Sequence, residues 1–268
     1  HLSGTPVINT DDVDLKMRVE QHISSLKSGE EIPEPIYFGL TKNKKDLDVL
    51  IAKHDNEEWF CAYDENGKIL PIIKVSETNP LGKQNQINLL ACFSICSIML
   101  ENILEMKDIS NFFKIPGHRM EEVFFNDKIR FLNDSKATNI SATIFALQTL
   151  SDPLFLILGG DLKNQRLAPL INALKNRNIV AYVYGKDKNL FKEYFEKYNI
   201  AHFTIENVRE AVILIKKHLS EKNRSSHKEI NVLLSPACSS KDLYKDYAER
   251  GNEYHKAVLS CFAECGHV

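Results

Sequence analysis

From residue 117 onward, short apolar runs and longer amphipathic runs take turns along the chain. "LFLILGG", "NIVAYVYG" and "INVLLSP" are uninterrupted apolar runs of strand length, and "IAHFTI" is a shorter one. Between them "TNISATIFALQTL", "LAPLINALKN", "KNLFKEYFEKY" and "NVREAVILIKKHL" carry helical periodicity, with Ile140, Ile144, Leu147 and Leu150 on one predicted face. "EVFFNDKIRFL" reads as a hairpin ahead of the series, and "SKDLYKDYAERGNEYHKAVLSCF" as a closing helix. Apolar strands alternating with helices predict an α/β fold with a mostly parallel sheet covered on both faces.

Residues 1–115 have a different pattern. "TPVINTDD" and "PIYFGL" read as short strands. "EEWFCAYDENGKILPIIKV" reads as a hairpin, because Glu65-Asn66-Gly67 separates two apolar runs and Asn-Gly suits a tight turn. "GKQNQINLLACFSICSIML" predicts a long buried helix. Its 14-residue apolar stretch, "INLLACFSICSIML", is short of the roughly 20 residues that span a bilayer, so no membrane partner is expected. Pro116 and Gly117 break the pattern and mark a joint between two domains, 1–115 and 116–268. The opening "HLSGTPVINTDD" has no Met and enters strand-like sequence at once, which reads as the start of a fragment.

Composition narrows the partners. A formal net charge of −2 with no basic block argues against nucleic acid. Six cysteines without a CxxC pair suit a reduced, cytoplasmic chain, and a monomer is the expectation. Cys92 with Cys96, and Cys261 with Cys265, have i,i+4 spacing, but nothing nearby completes a four-ligand set, so free thiols and no metal are expected. "SEKNRSSHKE" reads as a solvated loop.

Three polar clusters fall at predicted strand ends, where parallel sheets bind ligands. "NDSKATN" (133–139) is either a polar turn whose Thr138 or Asn139 caps a helix, or a site for an anion. A cap needs no Lys136; a carboxylate or phosphate would. "GGDLK" puts Gly159 and Gly160, which allow close backbone approach, ahead of Lys163. "SPACSSKD" places Ser239 and Asp242 in a capping-box-like spacing before a helix whose N-terminus suits a carboxylate. Cys238 has no obvious base beside it and reads as a small buried residue. Together the clusters predict a crevice for an acidic small molecule, with or without a nucleotide. No G-x-x-x-x-G-K-[ST] loop occurs.

"GKQNQINLLA", "GHRMEE", "NDSKATN", "LGGDLK" and "LSPACSSKDLYKDYAERGNEY" stand in the order and approximate spacing of the Mur ligases, and most closely resemble the D-glutamate-adding branch of that family. The resemblance covers nearly all of the chain and is firmest from about Gly82. It implies the tail of a central ATPase domain followed by a Rossmann-like C-terminal domain. It places the family's N-terminal domain, phosphate loop and magnesium-binding residues outside this chain. The implied chemistry makes an acyl phosphate from ATP and the carboxylate of UDP-N-acetylmuramoyl-L-alanine, with Mg2+, and the amine of D-glutamate then attacks it. Non-catalytic D-glutamate or nucleotide binding, and another Mur or folylpolyglutamate-type amide ligase, are the alternative readings.

Carried over by motif, Asn85 and Asn88 resemble adenine-side contacts, and Arg119 resembles an arginine reaching the ATP phosphates. Asp134 resembles the ribose-binding carboxylate, with Lys136 near the phosphates; Arg119 and Lys136 would serve the chemical step. Thr138 and Lys163 resemble contacts to the D-glutamate α-carboxylate, and Ser240 and the backbone of Tyr247 contacts to its γ-carboxylate. Three positions depart from the family pattern. Gln84 stands where the family has His, Gly117 precedes His118-Arg119, and Tyr247 varies an aromatic position.

Overall fold

The computed structural model describes residues 4–26, 33–40, 46–64, 66–78, 82–100, 105–106, 117–126, 128–221 and 229–263. Glu65, Pro116, Cys265, residues 222–228 of the expected loop and the side chain of Gln84 lie outside them. The chain divides into two compact units, His1–Ile115 and Pro116–Val268.

The first unit is a five-stranded sheet in the order β1 (Val7–Asn9), β2 (Ile36–Gly39), β3 (Val49–His54), β4 (Glu57–Tyr63), β5 (Ile69–Lys74). The first three strands run parallel and the last two extend the sheet antiparallel. Pro71 has no N–H for the ladder, and the β4–β5 register slips there between Phe60 and Cys61. The expected hairpin is β4–β5. The sequence reading missed β3, which pairs with the other side of β4, and also α1 (Val13–Ser24).

On one face of this sheet α2 (Gly82–Met99) packs Leu89, Leu90 and Phe93 against Phe38, Val49, Phe60 and Ile73, with the Phe60 and Phe93 rings edge to face at 5.6 Å. The expectation of a fully buried helix is corrected: Ile95, Ile98 and Met99 are exposed. A helix apolar all round has two apolar faces, and this sheet covers one of them.

The second unit is a six-stranded sheet in the order β10 (His202–Thr204), β9 (Ile179–Tyr184), β8 (Leu154–Gly159), β11 (Ile230–Leu234), β7 (Ile129–Asn133), β6 (Glu121–Asn126). Every pairing is parallel except β6–β7. Helices α3 (Ile140–Gln148), α4 (Ala168–Leu174), α5 (Lys188–Lys197), α6 (Val208–Glu221) and α7 (Tyr247–Val258) connect or follow the strands. Two separate cores form, one on each face of the sheet. This is why β8 is buried at every position and reads as an unbroken apolar run. Ile140, Ile144, Leu147 and Leu150 share one of those cores, as their spacing predicts.

The closing helix starts later than its sequence suggests, at Tyr247 rather than near Ser239. Asp242 does not cap it, because its Oδ2 accepts from the Lys186 N–H at 2.9 Å. Asp246 is the cap, accepting from the Ala248 and Glu249 N–H groups. Glu249 accepts in return from the Lys245 N–H at 2.6 Å, so the helix start is tied seven residues downstream of the expected capping box.

Candidate functional site

Parallel register brings the carboxyl ends of β7, β11, β8 and β9 to one edge, with Leu234 opposite Asn133 and Gly159 opposite Tyr184. The three polar clusters leave from that edge and are cross-linked there.

Behind "NDSKATN", the Asp134 N–H donates to Leu234 O at 2.8 Å and the Ser235 hydroxyl donates to Asp134 Oδ2 at 2.9 Å. Asp134 is 5% exposed. Burial pushes its carboxyl up to about 7, against the pull of the Ser235 hydroxyl, the Met120 N–H and the positive charges of Arg119 and Arg250. A buried carboxylate with a raised pKa near two cations at a strand-end edge is a functional-site signature. Arg119 is half-buried, and its Nε is enclosed with no hydrogen-bond partner. An oxyanion would satisfy that donor. Backbone at this corner is unusual, with His118 at φ 65 and Met120 at φ 48.

Gly159 and Gly160 have φ of 133 and 126, and a Cβ on either would overlap a carbonyl oxygen, of Tyr184 or Ser239 respectively. The glycines let the "GGDLK" and "SPACSS" segments touch. Asp161 and Ser239 form a two-way bridge, with N–H to O distances of 3.0 and 2.9 Å. Lys163 then sits exposed at φ 49, its N–H held by Asp161 Oδ1 at 2.9 Å. Burial pushes the Cys238 thiol up, as befits the small buried residue expected there.

Asn139 caps α3, accepting from the Ala142 N–H at 2.9 Å, which leaves the neighbouring Thr138 side chain exposed at the strand-end edge. Gln165 ties all three clusters: its Oε1 accepts from the Ile140 N–H, and its Nε2 donates to Leu162 O and Ala237 O. Ser240 is buried next to the bridged Ser239, and Tyr247 opens α7. Lys136 places its ammonium 3.8 Å from the centroid of the Tyr247 ring.

Asn85 and Asn88 belong to the other unit, on the first turns of α2. Asn85 is buried, and Asn88 Nδ2 lies 3.4 Å from Asn85 Oδ1. The residues expected to contact the acidic substrate, together with Asp134, Lys136 and Arg119, therefore share one edge of the second sheet. Among the described residues no group of three or more His, Cys, Asp or Glu could hold a metal ion, and no helix is long and apolar enough to cross a membrane.

Sequence reasoning missed Arg250. It lies in the polar-looking "YAERGNEY" of α7, yet it is 0% exposed. Its Nε donates to Ser135 Oγ, its Nη2 to Ser135 O and its Nη1 to Cys238 O, at 2.9, 2.8 and 3.1 Å. Ser135 Oγ in turn donates to Tyr247 O at 2.7 Å. One side chain thus clamps the first cluster, the third cluster and the last helix. The sequence signal was Gly251 beside it. Glycine is a poor helix former, and here a Cβ would overlap the His118 imidazole.

No family model matches the chain. It is 36% identical over 203 residues to the UDP-N-acetylmuramoylalanine--D-glutamate ligase of Buchnera aphidicola, a match covering 75% of this chain and 42% of that protein. It is 28% identical over 257 residues to the ligase of the same name from Methylobacillus flagellatus, covering 96% of this chain and 52% of that protein. The fold is similar to that of a murein peptide ligase from Psychrobacter arcticus, with a TM-score of 0.61 at 12% identity over 100% of this chain and 52% of that one. The chain spans about half the length of the curated relatives it matches. By its sequence, this chain belongs to the Mur ligase family.

Proposed function

We propose that this chain is the C-terminal half of an ATP-dependent ligase that joins D-glutamate to UDP-N-acetylmuramoyl-L-alanine in peptidoglycan precursor synthesis, in the cytoplasm. The observation that carries the reading is one strand-end edge that bears the cations Arg119, Lys136 and Lys163 together with a buried carboxylate, Asp134, that feels the charge of Arg119. The names of the relatives supply the substrate.

In the proposed reaction the γ-phosphoryl group of ATP moves to the alanyl carboxylate, leaving ADP. The D-glutamate amine then attacks the acyl carbon, phosphate leaves, and the amine proton passes to solvent. Catalysis of this kind is positioning and charge neutralisation. Asp134 would accept hydrogen bonds from the ribose hydroxyls, and Asn85 and Asn88 would contact adenine. Arg119 and Lys136 would meet phosphoryl oxygens. Thr138 and Lys163 would hold the α-carboxylate of D-glutamate, and Ser240 with the backbone of Tyr247 its γ-carboxylate. Mg2+ would neutralise phosphate charge when bound. Among the described residues no group of three or more His, Cys, Asp or Glu would hold it.

Alone, the chain has no phosphate loop, and it is expected to release no ADP. The test is a chimera in which this chain replaces the C-terminal half of the Buchnera relative. D-Glutamate-dependent ADP release, with KM for D-glutamate raised in Lys163→Ala, supports the reading; equal release with L-glutamate contradicts it.

A further inference from the structure

The Tyr247 ring sits in a closed set of contacts. Lys136 N–H donates to His118 O at 2.9 Å. The His118 and Tyr247 rings meet edge to face, 6.3 Å apart at 74°. The Tyr247 ring carries the Lys136 ammonium 3.8 Å from its centroid. The Tyr247 carbonyl is pinned to Ser135, the residue before Lys136. Ring and ammonium are therefore fixed to each other from both backbones.

Lys136 is half-buried, and among the described residues no carboxylate lies within ion-pair distance of its Nζ. This is unlike Lys186, which pairs with Asp161, and Lys188, which pairs with Glu206. A flexible lysine stem loses rotamer freedom when it is held in one place. An aromatic face can offset that cost while leaving the N–H donors on its far side open, and it adds no negative charge, which a carboxylate partner would.

We propose that the Tyr247 side chain is a positioning residue: its ring holds the Lys136 ammonium over the start of α7 as an unpaired cation, placed to receive an oxyanion of a bound substrate. The inference rests on the ligase reading for the identity of that substrate, and gives the Tyr247 ring a role separate from its backbone. Carboxylate and phosphoryl oxygens share the chemistry, and the experiment separates them.

The chain is labelled with 13C-lysine, and the Lys136 ε-methylene signal is assigned by its loss in Lys136→Gln. A proton above an aromatic face is shifted upfield, so the Lys136 signal is expected upfield of the other lysines. The shift persists in Tyr247→Phe and disappears in Tyr247→Leu, whose fold is checked by circular dichroism. A Lys136 signal among the other lysines in the parent chain, or one unmoved in Tyr247→Leu, overturns the proposal whatever the ligand.

Each variant is then titrated with D-glutamate and, separately, with inorganic phosphate. Tyr247→Leu is expected to weaken the ligand that Lys136 receives by about 3- to 10-fold, with Tyr247→Phe restoring it. Loss confined to D-glutamate identifies a carboxylate, and loss confined to phosphate a phosphoryl group. Equal affinity of the parent chain and Tyr247→Leu for a ligand that does bind overturns the receiving role. Absence of any binding to the parent chain counts against the ligase reading, while the methylene shift still decides the positioning claim.

Discussion

Arg250 and Ser135 are joined twice in the interior of the second unit, through Nε to the serine hydroxyl at 2.9 Å and through Nη2 to the serine carbonyl at 2.8 Å. With the third bond to Cys238 O, this side chain fixes the two loops that carry most of the candidate site. Arg250→Met leaves those buried acceptors without donors, at about 1–3 kcal/mol each. The expected loss is roughly 3 kcal/mol or more, read as a lower urea midpoint. Arg209→Met, at an exposed position on α6, should stay within about 0.5 kcal/mol. Equal midpoints for the two variants would remove Arg250 from the account.

Asp134 predicts a pH dependence of stability with a definite sign. Its carboxyl is raised from 3.8 to about 7 in the folded chain, chiefly by burial. A raised carboxyl is more readily protonated in the folded than in the unfolded state. Its contribution is therefore fully present below about pH 4 and is lost as pH rises through about 7. The whole window spans on the order of 4 kcal/mol at most. Asp134→Asn should flatten this part of the stability curve, so that the parent-minus-variant difference falls between pH 4 and pH 7. Urea unfolding at a series of pH values measures it, and a constant difference would contradict the buried-carboxylate reading.

Gly159 predicts a backbone effect. At φ 133 its missing Cβ makes room for the Tyr184 carbonyl, so Gly159→Ala must open β8 from β9 at the strand end. Strain of this kind costs about 1–3 kcal/mol, and the displaced ladder adds to it. Thermal unfolding should show a marked fall for Gly159→Ala. Gly67→Ala is the comparison: its φ is also positive, at 73, but nothing lies within 4 Å of the added Cβ.

The strand–helix alternation of the second unit was legible because its strands are buried on both faces and carry no polar interruption. β8 is the clearest case. α1 was illegible for the opposite reason: it buries no residue, and its Val13, Leu15 and Met17 are exposed, so no face marks it as helix. β3 was missed because a hairpin signal names two strands and is silent about a third on the far side of β4. The late start of α7 depends on Asp242 turning to the Lys186 N–H, a contact 56 residues away in sequence that local spacing cannot express. In the site, the lysines and glycines at strand ends could be found from sequence. Arg250 had only Gly251 beside it as a signal, since a buried arginine and a solvated one look alike on a polar helix until the loops it clamps are placed.

Of the two readings that "NDSKATN" opens, the cap belongs to Asn139. Asp134, buried under Ser235, and Lys136, held over Tyr247, serve no cap.

The strand-end edge of the second unit is proposed above to hold an incoming acidic amino acid. Calorimetric titration of the chain with D-glutamate, with L-glutamate, and of Lys163→Ala with D-glutamate tests it most directly. The account predicts measurable D-glutamate binding that is weaker for the L enantiomer and weaker again for the variant. Identical heats in all three titrations would contradict it.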